Sequence, residues 1–185
     1  KVCNTFLVFN LQVKQIAPYH KIHLFSFDNG TEHYDESRVL EPGNAPVCFS
    51  LPSVDGHTWR VGLSVCYDLR FAALYQALQA DVLLVPSAFT HTTGQAHWEV
   101  LLRARAIENL AYVLAPAQGG LHANGRRTWG HSMVVDAWGR VLAERAEGEG
   151  VVLAEMSMPE MLEQRTQLPA LAHRKPLLPV LPALQ

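Results

Sequence analysis

Cysteine is scarce in this chain: Cys3, Cys48 and Cys66 are the three it carries. An odd, sparse set with no C-x-x-C pair excludes a disulfide framework, and the simplest compartment for it is a reducing one, the cytoplasm. No apolar run approaches the ~18 residues of a membrane span, so no transmembrane helix and no membrane partner is expected. No basic-then-apolar segment opens the chain as a secretory signal would. The nine histidines form no H-x-H, H-E-x-x-H or Cys/His cluster. His20 and His23 stand three apart with nothing to complete a zinc site, so no metal and no cofactor is expected. Net charge is equally scarce. Fifteen Lys+Arg against seventeen Asp+Glu leave −2, which argues against a broad nucleic-acid-binding face. The sequon Asn29-Gly30-Thr31 is silent in a cytosolic protein.

Apolar residues are plentiful, at 49% of 185, enough for a sizeable core and too many for a disordered chain. The length suits one domain or part of a larger one. The chain opens at Lys1, without an initiator Met, and reaches the strand-like run Val2 to Phe9 at once. Residues 26–46 are polar, with Gly30, Pro42, Gly43 and Pro46, and are predicted to be a long loop. Strands are predicted over Trp59 to Val65, Asp81 to Val85, Ala111 to Ala117 and Val151 to Glu155. Thr128 to Asp136 and Arg140 to Ala143 flank the turn Ala137-Trp138-Gly139 as a hairpin. Helices are predicted over Arg70 to Gln79, from Thr93 or Gly94 to about Leu110, and over Pro159 to Gln167. In the second, Trp98, Leu101, Leu102, the aliphatic stem of Arg105, Ile107 and Leu110 make an imperfect apolar face. From Pro169 onward four of the eleven prolines fall in a tail that cannot be a regular helix or a central strand. Alternating strands and helices followed by several strands make this an α/β chain.

Chemistry is most plausible at Cys66, where an apolar strand gives way to a helix. Backbone N–H groups of such a turn can lower a thiol pKa and hold an oxyanion. The competing reading is a small buried hydrophobe. Cys3, inside a strand, and Cys48, in an apolar stretch, are read as structural. Lys21, among apolar neighbours in YHKIHLF, is either a strand-end charge or a cation that stabilises a thiolate and developing negative charge. Glu36 and Glu41 lie in the long loop, where carboxylates are usually solvated. Arg70 is either a structural salt bridge or a bidentate holder of a carboxylate.

Taken together, these segments resemble the nitrilase (carbon–nitrogen hydrolase) superfamily over about residues 1–175. Cys66-Tyr67-Asp68-Leu69-Arg70-Phe71 resembles its nucleophile motif, Tyr19 to Phe25 its catalytic lysine segment, and Glu36-Ser37 before Pro42-Gly43 the stretch with its second glutamate. Pro86 to Thr90, Thr93-Gly94, Ala96 to Glu99, Arg103 to Asn109 and Gly130 to Asp136 with Trp138-Gly139 follow in the family's order. Ala115 to Gly120, with His122 and Arg126, is closest to the branch acting on deaminated glutathione, a relative of the ω-amidases.

The resemblance implies an α-β-β-α sandwich, with a partial hydrolase domain over 1–168 and a proline-rich tail over 169–185. It implies hydrolysis of a linear carboxamide, such as deaminated glutathione or an α-keto acid ω-amide, to an acid and ammonia through a Cys66 thioester. Lys21 and the backbone N–H of Tyr67 hold the oxyanion, Glu36 orients Lys21, and Arg70 and Thr93 hold a substrate carboxylate. A homodimer or higher homo-oligomer is implied too, with the tail crossing to the partner. The family's general-base glutamate lies ahead of its lysine. None of the twenty residues before Lys21 is Asp or Glu. About a third of the domain is therefore expected to be missing at the front, and an inactive chain with a binding or scaffolding role is the second reading. Ala72-Ala73 where the motif usually has Pro-Glu, a short connection from Leu78 to Asp81, and no Gly turn in Asn10 to Pro18 are further departures.

Overall fold

The protein is described by a computed structural model over residues 1–176. It opens with an antiparallel hairpin of β1 (Thr5–Phe9) and β2 (Gln15–His20). Along β2 Ala17 and Tyr19 are buried and their neighbours exposed, the alternation of a strand with one wet face. Pro18 is tolerated because it lies on the exposed face of a two-stranded sheet. The expected loop 26–46 is not without structure. It holds a second small hairpin, β3 (Ser26–Asp28) with β4 (His33–Asp35), and a 3-10 turn over Glu36–Arg38. Asn29-Gly30 makes the tip: Gly30 has φ +85°, and the Asn29 side chain accepts from the Thr31 and Glu32 backbone N–H groups.

The centre is a six-stranded mixed sheet. It contains β5 (Cys48–Pro52), β6 (Thr58–Leu63), β7 (Val82–Leu84), β8 (Tyr112–Ala115), β11 (Ser132–Val135) and β12 (Val141–Arg145), in the order β12-β11-β8-β7-β6-β5. Strands β6, β7 and β8 run parallel, and the outer pairs are antiparallel. Their crossovers are α1 (Ala72–Leu78), preceded by a 3-10 turn over Cys66–Arg70, and α2 (His91–Asn109). Both helices cover one face, where Leu74, Leu78, Trp98, Leu102 and Ala106 pack on Leu83, Val113 and Val135. The other face is shared. Met158 and Met161 of α3 (Met158–Gln167) lie on Trp59, Val61 and Tyr112, and the β1–β2 hairpin lies on Leu63 and Phe49. Helices, six-stranded sheet and hairpin make three successive layers, α-β-β, among the described residues.

Several expectations need correction. Helix α2 begins at His91, two residues early, because Thr90 is the N-cap and accepts from the Thr93 N–H. On α2 the whole of Arg105 is buried, not its stem alone: Nε donates to the Leu69 carbonyl at 2.9 Å and Nη1 reaches Glu108 at 2.7 Å. Ile107, expected on the apolar face, is 48% exposed. The run 128–136 breaks at Gly130-His131, both at positive φ. Its first part becomes β10 (Arg127–Trp129), paired with β9 (Gly119–Leu121), and its second part becomes β11. Val151 to Glu155 forms no strand, because no described strand lies alongside to complete a ladder. Cys3 precedes β1 and is exposed, while Cys48 on β5 points its thiol at the Leu78 carbonyl. Of the proline-rich tail, residues 170–173 form turns, 169 and 174–176 belong to no helix or strand, and the rest lies outside the described residues.

Gly94 explains how α2 meets β10. A Cβ there would sit 2.3 Å from the Trp129 Cβ, so the glycine is what lets the helix lie on that strand. Gly94→Ala gains helix propensity of about 1 kcal/mol but overpacks this contact by roughly 1–3 kcal/mol. Net destabilisation is expected in urea unfolding; a midpoint equal to or above that of the unsubstituted chain would show that the contact with Trp129 yields.

Candidate active site

The parallel strands all end on the same side, and α/β sheets bind ligands beyond such carboxyl ends. Here the segments after β6, β7 and β8 are laced together. Cys66 N–H donates to the Pro86 carbonyl at 3.0 Å, Ser87 N–H to Pro116 at 2.9 Å, and Gln118 N–H to Ser87 at 2.9 Å. They floor an open cleft of about 570 Å³, lined by Lys21, Glu36, Cys66, Ala88, Gln118 and Arg126 among others. A narrower cavity adjoins it, lined by Phe25, Glu36, Cys66, Tyr67, Arg70, Thr93 and Arg126. All six residues expected at the site therefore face one composite cavity. Glu41, read as solvated, does not line it.

Lys21 continues the inward register of Ala17 and Tyr19, which is why a lysine ends up 1% exposed. Such a charge needs a partner. Its Nζ lies 2.5 Å from Glu36 Oε2, and the same oxygen accepts the Phe25 N–H at 2.7 Å. Glu36 is thus not a solvated loop carboxylate but is fixed between Lys21 and the chain that follows it. Gly43 closes the arrangement. Its N–H donates to the Lys21 carbonyl at 2.8 Å, and a Cβ would fall 2.1 Å from the His20 carbonyl oxygen, so only glycine lets this segment approach the end of β2.

Cys66 has φ +52°, the left-handed region that non-glycine residues avoid. The strand-to-helix turn forces the side chain outward into the cleft, in the manner of a nucleophile elbow. Burial pushes its thiol pKa up; the Lys21 ammonium and a backbone N–H at Ala88 pull it down, Glu36 adds to the rise, and Arg126 opposes it. The Cys48 thiol is also pushed up by burial, with Arg60 opposing through its charge and a hydrogen bond.

Arg70 forms no salt bridge among the described residues. It reaches His97 Nδ1 at 3.2 Å and lies over the rings of Tyr67 and Phe89. The Thr93 hydroxyl is engaged with Thr90 Oγ1 at 2.7 Å, at the head of α2. Tyr67 packs its ring edge-on against Phe25 and Phe71.

Two residues carry more than the sequence suggested. Asp68, fully buried, accepts from Tyr19 OH at 2.7 Å, Val65 N–H at 2.9 Å and His23 N–H at 3.0 Å, and also lies 2.8 Å from His23 Nδ1. Burial and this carboxylate push the Tyr19 phenol far above its ordinary range. Arg126 lines both cavities. The motif around Cys66 contains Asp68, but nothing in the spacing says that its partners lie forty-five and forty-nine residues away.

Comparison with known proteins bears on this geometry. The family model for carbon–nitrogen hydrolases matches residues 1–166. The chain is 42% identical over 179 residues to the deaminated glutathione amidase of Synechocystis, an alignment covering 94% of this chain and 64% of the relative. The mouse protein of that name is 42% identical over 180 residues, covering 95% and 54%. The chain thus spans between half and two thirds of these relatives. Among solved structures, the Caenorhabditis elegans NitFhit protein superposes with a TM-score of 0.83 at 41% identity, covering 94% of this chain and 42% of that one. With a match along nearly the whole sequence and a nitrilase-like layering in which lysine, glutamate and cysteine meet in one cleft, the chain belongs to the carbon–nitrogen hydrolase family.

Proposed function

We propose that this chain carries the nucleophile half of an amidase: it opens a linear carboxamide through a thioester on Cys66. The observation that carries the reading is the meeting of a buried Lys21 ammonium, its partner Glu36 and the outward Cys66 thiol in one cleft. In this mechanism the sulfur attacks the amide carbon while Lys21 Nζ and the Tyr67 backbone N–H hold the developing oxyanion. The C–N bond then breaks and the nitrogen leaves with a proton, as ammonia from a primary amide or as an amine from a substituted one. Water attacks the thioester, the acid departs, and the thiol is restored. Arg70 and Thr93 in the narrow cavity are proposed to take a carboxylate on the acyl portion. Since the curated relatives are named deaminated glutathione amidases, deaminated glutathione and α-keto acid ω-amides are the substrates to test. A cytoplasmic homodimer, or a larger homo-oligomer, belongs to the same proposal; among the described residues no helix is long and apolar enough to cross a membrane.

Glu36 is committed to Lys21 and to the Phe25 N–H, which suits an orienting role better than that of a free base. Among the described residues lining the cleft it is the one carboxylate. This favours a second reading, in which the 185 residues by themselves bind amides without turning them over.

Release of ammonia or amine from these substrates is expected to fall by about three orders of magnitude or more in Cys66→Ala; unchanged turnover would sink the thioester. Alkylation of Cys66 by iodoacetamide reports the thiolate directly. Its rate is expected to rise with pH to a midpoint above the ordinary thiol value, because burial outweighs the nearby cations. Lys21→Met removes the largest opposing charge and should move that midpoint higher still; a midpoint that stays put would separate Lys21 from the thiol. Asp68→Asn leaves an amide where a carboxylate accepts four contacts, and should cost about 2–3 kcal/mol in denaturant unfolding.

A further inference from the structure

Arg126 lies in the turn between β9 and β10, where His122 N–H donates to its carbonyl at 2.9 Å and Asn124 Oδ1 accepts its N–H at 3.1 Å. The turn aims the side chain back across the sheet ends. There Nη2 donates to the Ala88 carbonyl at 2.7 Å, and the guanidinium lies over the Tyr34 ring, 5.2 Å from its centroid. Two contacts from different segments fix its plane. Its Nε is buried and has no hydrogen-bond partner among the described residues. Arg103, Arg105, Arg140 and Arg165 each reach a carboxylate, whereas Arg126 has none among the described residues. A buried donor of this kind is normally satisfied. A rigid, charged fork held at a cavity wall with no carboxylate of its own among the described residues is the form of a carboxylate receptor.

Its position indicates which carboxylate. The narrow cavity, walled by Arg70 and Thr93, opens into the larger cleft at Cys66, and Arg126 lines both. A substrate amide at Cys66 with its acyl end toward Arg70 must lay its amine-side portion in the open cleft, past Arg126. Lys21 and Glu36 offset one another there, so Arg126 supplies the excess positive charge of that wall. We propose that Arg126 is a specificity-determining residue that binds a carboxylate on the amine side of the scissile amide, so that the site selects substrates carrying a carboxylate at each end. This rests on the amidase reading for the orientation of the substrate, though not on turnover.

The test is calorimetric binding to the full chain with Cys66→Ala, using N-glutarylglycine and N-glutarylglycinamide, which differ only in the amine-side carboxylate. The acid is expected to bind about tenfold or more tightly than the amide, and Arg126→Gln is expected to bring the two within about threefold. Arg126→Lys keeps the charge but loses the fork and should fall between. Equal binding of the two ligands to the chain with Arg126 intact overturns the proposal without any substitution there, as does a preference undiminished in a folded Arg126→Gln. Preferential binding with neither hydrolysis nor an acyl adduct on Cys66, read by mass spectrometry of the chain with Cys66 intact, sinks the amidase reading and leaves the anchor standing. Hydrolysis with an unchanged preference in Arg126→Gln sinks the anchor alone.

Discussion

One buried carboxylate holds the site together. Asp68 takes hydrogen bonds from the segment after β6, through the Val65 N–H, and from β2 and the segment that follows it, through Tyr19 and His23. Those two pieces of chain carry Cys66 and Lys21. They belong to different layers, and without a shared partner their separation would depend on apolar packing alone, which has no direction. A carboxylate with several lone pairs can accept from three donors at once, and in a dry interior it cannot leave any of them unmade. The separation of the two segments that carry Cys66 and Lys21 is therefore tied to a directional group and not to apolar packing alone.

The strain at Cys66 follows from the same junction. The turn must leave the sheet within one residue, because Val65 and Asp68 are already committed, so Cys66 takes the left-handed backbone that projects its thiol outward. Around it the charges are arranged in opposition. Burial disfavours the thiolate, and the two nearest cations favour it. Lys21 is shared with Glu36, which keeps the ammonium in place at the cost of part of its effect on sulfur. Arg126 and Arg70 have no carboxylate partner among the described residues, and of the two it is Arg126 that lines the larger cleft.

Much of this was legible in the sequence, for reasons that are local. The strands at 59–65, 81–85 and 111–117 announce themselves as apolar runs closed by turn residues, and α1 and α3 by periodicity and Pro159. The resemblance led directly to Lys21, Glu36 and Cys66. The pairs β1–β2, β3–β4 and β9–β10 were not seen whole, because short strands with polar or glycine-rich partners lack a clean alternation. Val151 to Glu155 has the apolar run of a strand but no described neighbour to pair with, and sequence pattern cannot supply one. Arg105 looked like a stem on an apolar face, while its guanidinium in fact plugs the Leu69 carbonyl from inside the core.

The chemical inventory of this protein was therefore determined by the sequence by itself: one thiol at a strand end, one lysine in the register of a buried face, and one glutamate beside a turn. These follow from residue type and from the two-residue period of a strand. The tertiary structure alone decided which groups are paired and which are free. Glu36 was bound to Lys21, Asp68 to the segment of Tyr19 and His23, and Arg70 to rings, while Arg126 has no carboxylate partner among the described residues. The reason is physical: burial removes water as the universal partner, and only the folded arrangement says which other partner takes its place.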